Sequence, residues 1–346
     1  MSGTSLDGVD LVYTTLSYDN SWSFQIHSAT TIPYDKTWKD QLSRLVTMSR
    51  EQLEQLDQLY SEYLAEVLLS FIKDYEIKDL DFICSHGHTA LHQPDEGLTY
   101  QIGNLQSISD ITGHTVICDF RVADVKLGGQ GAPLVPIGDQ LLFSNYDYCL
   151  NLGGFANVSY EKHNKRIAYD ICPVNIVLNK CVAELGLDYD DGGTIASKGQ
   201  INDSLLSALN RLDFYQTPPP KSLGLEWVDT NIFPLMETYE LSVEDQLRTF
   251  VEHSAMMIAN NIEADTSMLI TGGGAYNTFL INRIKALATT VNITIPEKDI
   301  LEYKEALIFG LLGVLKYSDE VNCLSSVTGA SKDHASGNIF LPKNSV

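Results

Sequence analysis

The stretch Tyr146–Lys162, YDYCLNLGGFANVSYEK, constrains this chain more than any other. An apolar run meets a Gly-Gly pair and resumes as a second run, which reads as strand, glycine turn, strand. RIAYDICP then supplies a third short strand, and the apolar spacing from Val174 to Leu185 is that of a helix. A glycine loop that returns into a strand is not a dinucleotide fingerprint, whose glycines must open a helix. The sequence also holds no G-x-x-x-x-G-K-[ST] loop, so it is no Walker-type ATPase. A glycine hairpin can still bind phosphate through its backbone N–H groups.

The same order opens the chain. MSGTSLDGVD is a loop of glycines and hydroxyls, LVYTTLSYD and WSFQIHSATTIPY read as a hairpin, and Asp35–Tyr75 carries two amphipathic helices. LDFICSHG and HTVICDF are buried strands. The chain therefore reads as two related α/β halves, 1–145 and 146–346. Segment 188–240 is rich in turn signals and reads as an insertion in the second half. A helix over Val243–Asn261 follows, then SMLITGGGAYN, a strand opening into a third glycine loop. EKDILEYKEALIFGLLGVLKY ends as a helix, and the tail SVTGASKDHASGNIF reads as a loop.

A length of 346 residues predicts roughly two domains. The net charge of −22 argues against nucleic acid and anionic membranes as partners. It still admits a nucleotide held by backbone and metal. The six cysteines are far apart with no C-x-x-C, the pattern of reduced thiols in a cytoplasmic protein. No secretory signal or bilayer-length apolar run is legible.

MSGTSLDGVD, SHGHTALH, QIGN, DFRVADVKLGGQGAPLVP, LNLGGFANVS, YDICPVN, KSLG, ITGGGAYN and SVTGAS occur in this order. Together they resemble the anhydro-N-acetylmuramic acid kinase family over essentially the whole chain. The resemblance implies an actin-like (ribonuclease H-like) ATPase fold, two duplicated α/β lobes around a central cleft. It implies that ATP and Mg²⁺ are used to open 1,6-anhydro-N-acetylmuramic acid with water and phosphorylate O6. The product, N-acetylmuramic acid 6-phosphate, belongs to peptidoglycan recycling, and the resemblance suggests a cytoplasmic homodimer. Two other readings stay open: a different actin-like N-acetylhexosamine kinase, and a non-catalytic ATP- or sugar-binding relic.

Ring opening needs a base for the attacking water, and a carboxylate opposite the leaving oxygen suits it. Asp170, at a strand end before a helix, is the candidate, and it matches the family's catalytic aspartate. The alternative is a helix-start acid favoured by the dipole. Gly3, Thr4, Ser5, Leu6, Asp7, Gly8, Val9 and Asp10 match the family's ATP-binding segment. Asp7 or Asp10 could face Mg²⁺, and Asp7 is preferred. Gly153, Gly154 and Asn157 belong to the second phosphate hairpin, and Gly272, Gly273 and Gly274 would let backbone lie against adenosine.

For the sugar, the candidates are His86, Thr89, Asp119, Arg121, Gly129, Gln130, Gly131, Asn175 and Lys221. The His86, His88 and His92 cluster is read as polar contacts rather than metal ligands, with His92 open to being a core histidine. Arg121 can fork onto the lactyl carboxylate or pair with Asp119 or Asp124. Lys221 can reach a phosphate or the sugar, or be an ordinary exposed lysine. Two departures from the family pattern stand out. Cys172-Pro-Val-Asn175 replaces G-P-G-N, and the short apolar strand that precedes MSGTS in the family has no counterpart here. On that reading the first hairpin has one arm and its sheet lacks a central strand.

Overall fold

The computed structural model describes residues 1–3 and 6–343, so Thr4 and Ser5 lie outside the described residues. The chain forms two compact units, Met1–Leu142 with Tyr303–Val346, and Phe143–Glu302. The sequence reading groups 303–346 with the second half, whereas these residues pack with the first unit.

In the first unit, β1 (Gly8–Asp19) and β2 (Ser21–Pro33) form the expected hairpin, turned at Asn20 and bulged at Tyr13/Thr14. Asp35 caps α1 (Lys36–Leu42) by accepting from Trp38 N–H. A capping box of Ser49 and Gln52 starts α2 (Arg50–Asp74). Leu53, Leu56, Tyr60, Leu64, Val67 and Phe71, three or four residues apart, bury one face of α2. β3 (Ile83–Cys84) is followed by an antiparallel pair, β4 (His88–Gln93) and β5 (Leu98–Ile102). After α3 (Gln106–Thr112), β6 (Val116–Cys118) lies parallel to β3. Two short helices follow, α4 (Val122–Lys126) and α5 (Pro136–Leu142).

The second unit is a single five-stranded sheet. β7 (Tyr148–Leu152), β8 (Phe155–Lys162) and β9 (Lys165–Pro173) run antiparallel in succession. After α6 (Asn175–Ala183) come four short helices: α7 (Asp203–Asn210), α8 (Asp213–Gln216), α9 (Leu225–Asn231) and α10 (Phe233–Glu237). They all fall within the 188–240 segment. α11 (Val243–Ala259) leads to β10 (Ser267–Thr271), α12 (Thr278–Leu287) and β11 (Asn292–Thr294). The order is β11-β10-β7-β8-β9, with β10 parallel to both β7 and β11. Leu150, Leu152, Val177, Phe250 and Ile270, almost fully buried, centre its core.

The chain returns to the first unit within α13 (Lys298–Tyr317). It then forms α14 (Ser325–Thr328) and β12 (Asn338–Phe340), which adds antiparallel to β6. The tail is thus partly a strand, not wholly a loop. In this unit β1 pairs with β2 and β3 with β6, but β1 and β3 do not pair. A slot of about 240 Å³ separates them, lined by Val9–Leu16 on one side, Asp79–Ser85 on the other, and Phe71 and Phe309. At its end Met1 pairs with Asp10: Asp10 N–H donates to Met1 O at 2.8 Å, and the Met1 ammonium donates to Asp10 O at 2.7 Å.

Candidate active site

In the first unit, turns after β3 and β5 hold each other. The Asn104 amide donates to His86 O at 3.3 Å, and Asp57 accepts Gly103 N–H at 2.6 Å and the Tyr100 hydroxyl at 2.6 Å. SHGHT and QIGN thus form one structure, with Asp57 on α2 as its anchor. The Asp57 carboxyl is raised by burial, against the donors that surround it. No motif flagged Asp57, whose helical position reads as an ordinary surface acid.

The three histidines have separate partners. His86 Nδ1 donates to Gly87 O at 2.9 Å, so Nε2 accepts from Arg121 Nε at 2.9 Å. Burial, then the Arg121 charge, holds the His86 imidazole well below its usual range and keeps it neutral. His88 bonds Ser2 at 2.7 Å and is lowered by burial to about 4. His92 bonds Thr99 at 3.1 Å and is exposed, not a core histidine. Thr89 lies on β4 opposite Gln101.

Arg121 is the hub of this unit's polar cluster. Its hydrogen bonds run to His86 and, at 2.7 Å, to Gly131 O, so it locks the glycine loop to the histidine turn. Asp124 accepts Gly131 N–H at 2.7 Å. At Gly129 a Cβ would lie 2.1 Å from Asp124 Oδ2, so only glycine lets the loop pass there. Gln130, exposed, reaches Asp95 at 3.4 Å. Asp119, the residue after β6, has φ of 60°, accepts from the Asn338 amide at 2.8 Å, and is raised by burial to about 6. In the opening segment, Asp10 accepts from the Thr31 hydroxyl at 2.7 Å, while the Asp7 side chain is exposed. Gly3 O accepts Leu6 N–H at 3.3 Å, and Gly8 and Val9 are buried where β1 begins.

In the second unit, the two glycine loops touch. Gly272 has φ of +87°, and a Cβ there would lie 2.6 Å from Asn151 Oδ1 and 2.8 Å from Leu152 O. Gly273 by contrast faces open space. The β7–β8 turn is tied to the start of α6: Val174 N–H donates to Gly154 O at 2.8 Å and Asn175 N–H to Gly153 O at 3.4 Å. Asn157 pairs with Asp170 across β8 and β9. Asp170 accepts Leu223 N–H at 2.8 Å, and its own N–H donates to Lys221 O at 3.2 Å. Burial raises the Asp170 carboxyl above the ordinary range. Lys221 Nζ donates to Phe214 O at 3.1 Å and sits 4.5 Å from the Phe214 ring centre, with its pKa lowered by burial. It is therefore no freely exposed lysine.

Expected residues thus meet in one unit: Gly153, Gly154, Asn175 and Gly272 around the hairpin, and Asp170 with Asn157 and Lys221 beside it. His86, Arg121 and Gly131 form the second group, in the other unit. A profile of the family described as anhydro-N-acetylmuramic acid kinase matches residues 1–342. The chain belongs to the anhydro-N-acetylmuramic acid kinase family. Among its relatives, the protein of that name from Coxiella burnetii (strain Dugway 5J108-111) is 31% identical, over 98% of this chain and 96% of that protein. The one from Vibrio cholerae serotype O1 is 33% identical, over 99% and 97%. The Cys172-Pro-Val-Asn175 stretch, which departs from G-P-G-N, is tied to the β7–β8 turn. Cys172 and Val174 turn into the core, each 0% exposed, while Val174 N–H holds Gly154.

Proposed function

We propose that this chain uses ATP to convert 1,6-anhydro-N-acetylmuramic acid to N-acetylmuramic acid 6-phosphate, with Asp170 as the general base. The observation that carries this assignment is a half-buried carboxylate with a raised pKa, near the C-terminal end of β9, pinned by Leu223 in the segment that holds Lys221. Asp170 takes a proton from water as the oxygen attacks the anomeric carbon. O6 leaves the ring bond and receives the γ-phosphoryl group that ATP supplies. Family membership favours this reaction over phosphorylation of a plain hexosamine hydroxyl.

Gly153, Gly154, Asn157 and Gly272–Gly274 would hold the nucleotide. The fit rests on the open space beside Gly273, and on Gly272, whose missing Cβ lets this loop close onto Asn151 and Leu152 of the hairpin. The Gly3–Asp10 segment would hold phosphates. Asp7 is the better Mg²⁺ residue, because Thr31 already engages Asp10. Mg²⁺ there would neutralise phosphate charge. His86, Thr89, Asp119, Arg121, the Gly129–Gly131 loop and Asn175 would orient the sugar, with Arg121 available to its lactyl carboxylate. An actin-like, ribonuclease H-like fold is supported by the antiparallel β7-β8-β9 followed by parallel β10 and β11. β1, β2, β3 and β6 repeat the outer four positions of that order, which supports duplicated lobes. We further propose a cytoplasmic homodimer. Among the described residues no helix is long and apolar enough to cross a membrane.

The test is phosphoryl transfer from ATP to 1,6-anhydro-N-acetylmuramic acid. ADP release is expected to depend on the anhydro sugar and to fall at least about 100-fold in Asp170→Asn. Turnover of N-acetylglucosamine without the anhydro sugar would overturn the assignment.

A further inference from the structure

Cys323 and His334 form a hydrogen-bonded cross-strand pair. Cys323 N–H donates to His334 O at 3.1 Å, and His334 N–H donates to Cys323 O at 3.2 Å. The side chains of such a pair share a face. Both meet Asp124 of α4. The Cys323 thiol donates to Asp124 Oδ1 at 3.1 Å, and His334 Nε2 lies 3.7 Å from the same oxygen. No two of the three ligand-type atoms are more than 4.8 Å apart. Asp124 is 0% and Cys323 1% exposed, and the His334 side chain 9%.

His334 supplies the decisive detail. Its Nδ1 donates to Lys332 O at 3.1 Å, so in the neutral ring Nε2 carries the lone pair. Nε2 is buried and makes no hydrogen bond. It faces a carboxylate oxygen, another acceptor. Two acceptors facing each other away from water require either a proton or a metal cation between them. A second ring nitrogen bonded to a backbone carbonyl is also how metal-bound histidines are oriented.

We propose that Asp124 Oδ1, Cys323 Sγ and His334 Nε2 bind one zinc-class divalent cation. Carboxylate, thiolate and imidazole together suit Zn²⁺. The charges balance: binding releases the thiol proton, and Cys⁻, Asp⁻ and neutral His leave a buried centre of zero net charge. The Thr328 hydroxyl, 2.7 Å from Asp124 Oδ1, or a water completes the fourth position. Closure about a metal needs the cysteine–histidine side to contract by about 1 Å, given metal–ligand bonds of about 2.0–2.3 Å. The cation would fasten the Cys323–His334 segment to α4. Asp124 Oδ2 also accepts Gly131 N–H, so the site would stiffen the glycine loop that Arg121 holds.

The experiment is a Zn²⁺ titration of the full, chelator-treated chain, followed by Co²⁺ spectroscopy. The wild type is expected to take one Zn²⁺ per chain, and with Co²⁺ to show a thiolate charge-transfer band. Cys323→Ser should lose that band, and both it and His334→Gln should bind Zn²⁺ at least about 100-fold more weakly. Absence of stoichiometric Zn²⁺ uptake by the wild type, or equal affinity in Cys323→Ser, would overturn the proposal. So would nitrogen NMR of the wild type with both His334 ring nitrogens protonated at neutral pH in the presence of Zn²⁺. That outcome means a simple ion pair with Asp124, and it needs no variant to fold.

Discussion

Asp170 accepts a backbone N–H yet keeps a raised pKa, because burial outweighs the single donor. In the proposed role of general base it would work only when ionised. The acid limb of kcat/KM should therefore lie above the ordinary carboxylate value of about 4, with the rate rising with pH across it. The limb should vanish in Asp170→Asn. At Gly272, alanine would meet both a positive φ and Leu152 O, a strain of about 1–3 kcal/mol. If the loop yields, ATP should bind roughly tenfold more weakly in Gly272→Ala, measured by titration calorimetry. The glycines and Arg121 stand out in the sequence as loops and charges against apolar runs, whereas Asp170 is singled out by its match to the family's catalytic aspartate. Sequence alone could not decide what Arg121 binds. Its partners, His86 and Gly131, come from separate segments that only folding brings together. Asp57 was illegible for the same reason: its role comes from Gly103 and Tyr100, more than 40 positions away.

Long elements followed from their periodicity. α2 matches the apolar spacing of its sequence, and its Ser49–Gln52 capping box is visible as S-x-x-Q. Ser49→Ala should cost about 1 kcal/mol in denaturant unfolding. Short elements did not follow. β12 has three residues and exists because β6 offers it an edge, and β4 and β5 are built around polar residues. Such strands are selected by their neighbours, not by their own pattern. The slot makes β1 two-sided in behaviour. Asp10 N–H points to Met1, so by strand alternation Val12 N–H points into the slot, and Leu11 N–H points to β2. Hydrogen exchange should be faster at Val12 than at Leu11. Equal protection would mean the slot is closed in solution.

Buried histidines contribute to the pH response of the whole molecule. Burial lowers His88 to about 4 and His253, bonded to Asn210 and Tyr215, to about 3. The unfolded chain binds these protons near pH 6.5, so stability is full above that value and is lost as pH falls toward the folded values. Between pH 7 and pH 5 each should remove about 2 kcal/mol. Asp119, raised to about 6, acts in the opposite sense, since its folded form keeps a proton that the unfolded chain releases. It offsets part of the loss. Urea unfolding at the two pH values should show a net fall, smaller by about 2 kcal/mol in His253→Gln.

The division of the chain has a further consequence, in time. The first unit is interrupted by 143–302 and resumes only at Tyr303. On a ribosome, the second unit is complete before α14 and β12 have been made. At about 5–20 residues per second, the intervening stretch keeps β6 waiting on the order of ten seconds for its edge partner. The part of the protein that begins first finishes last.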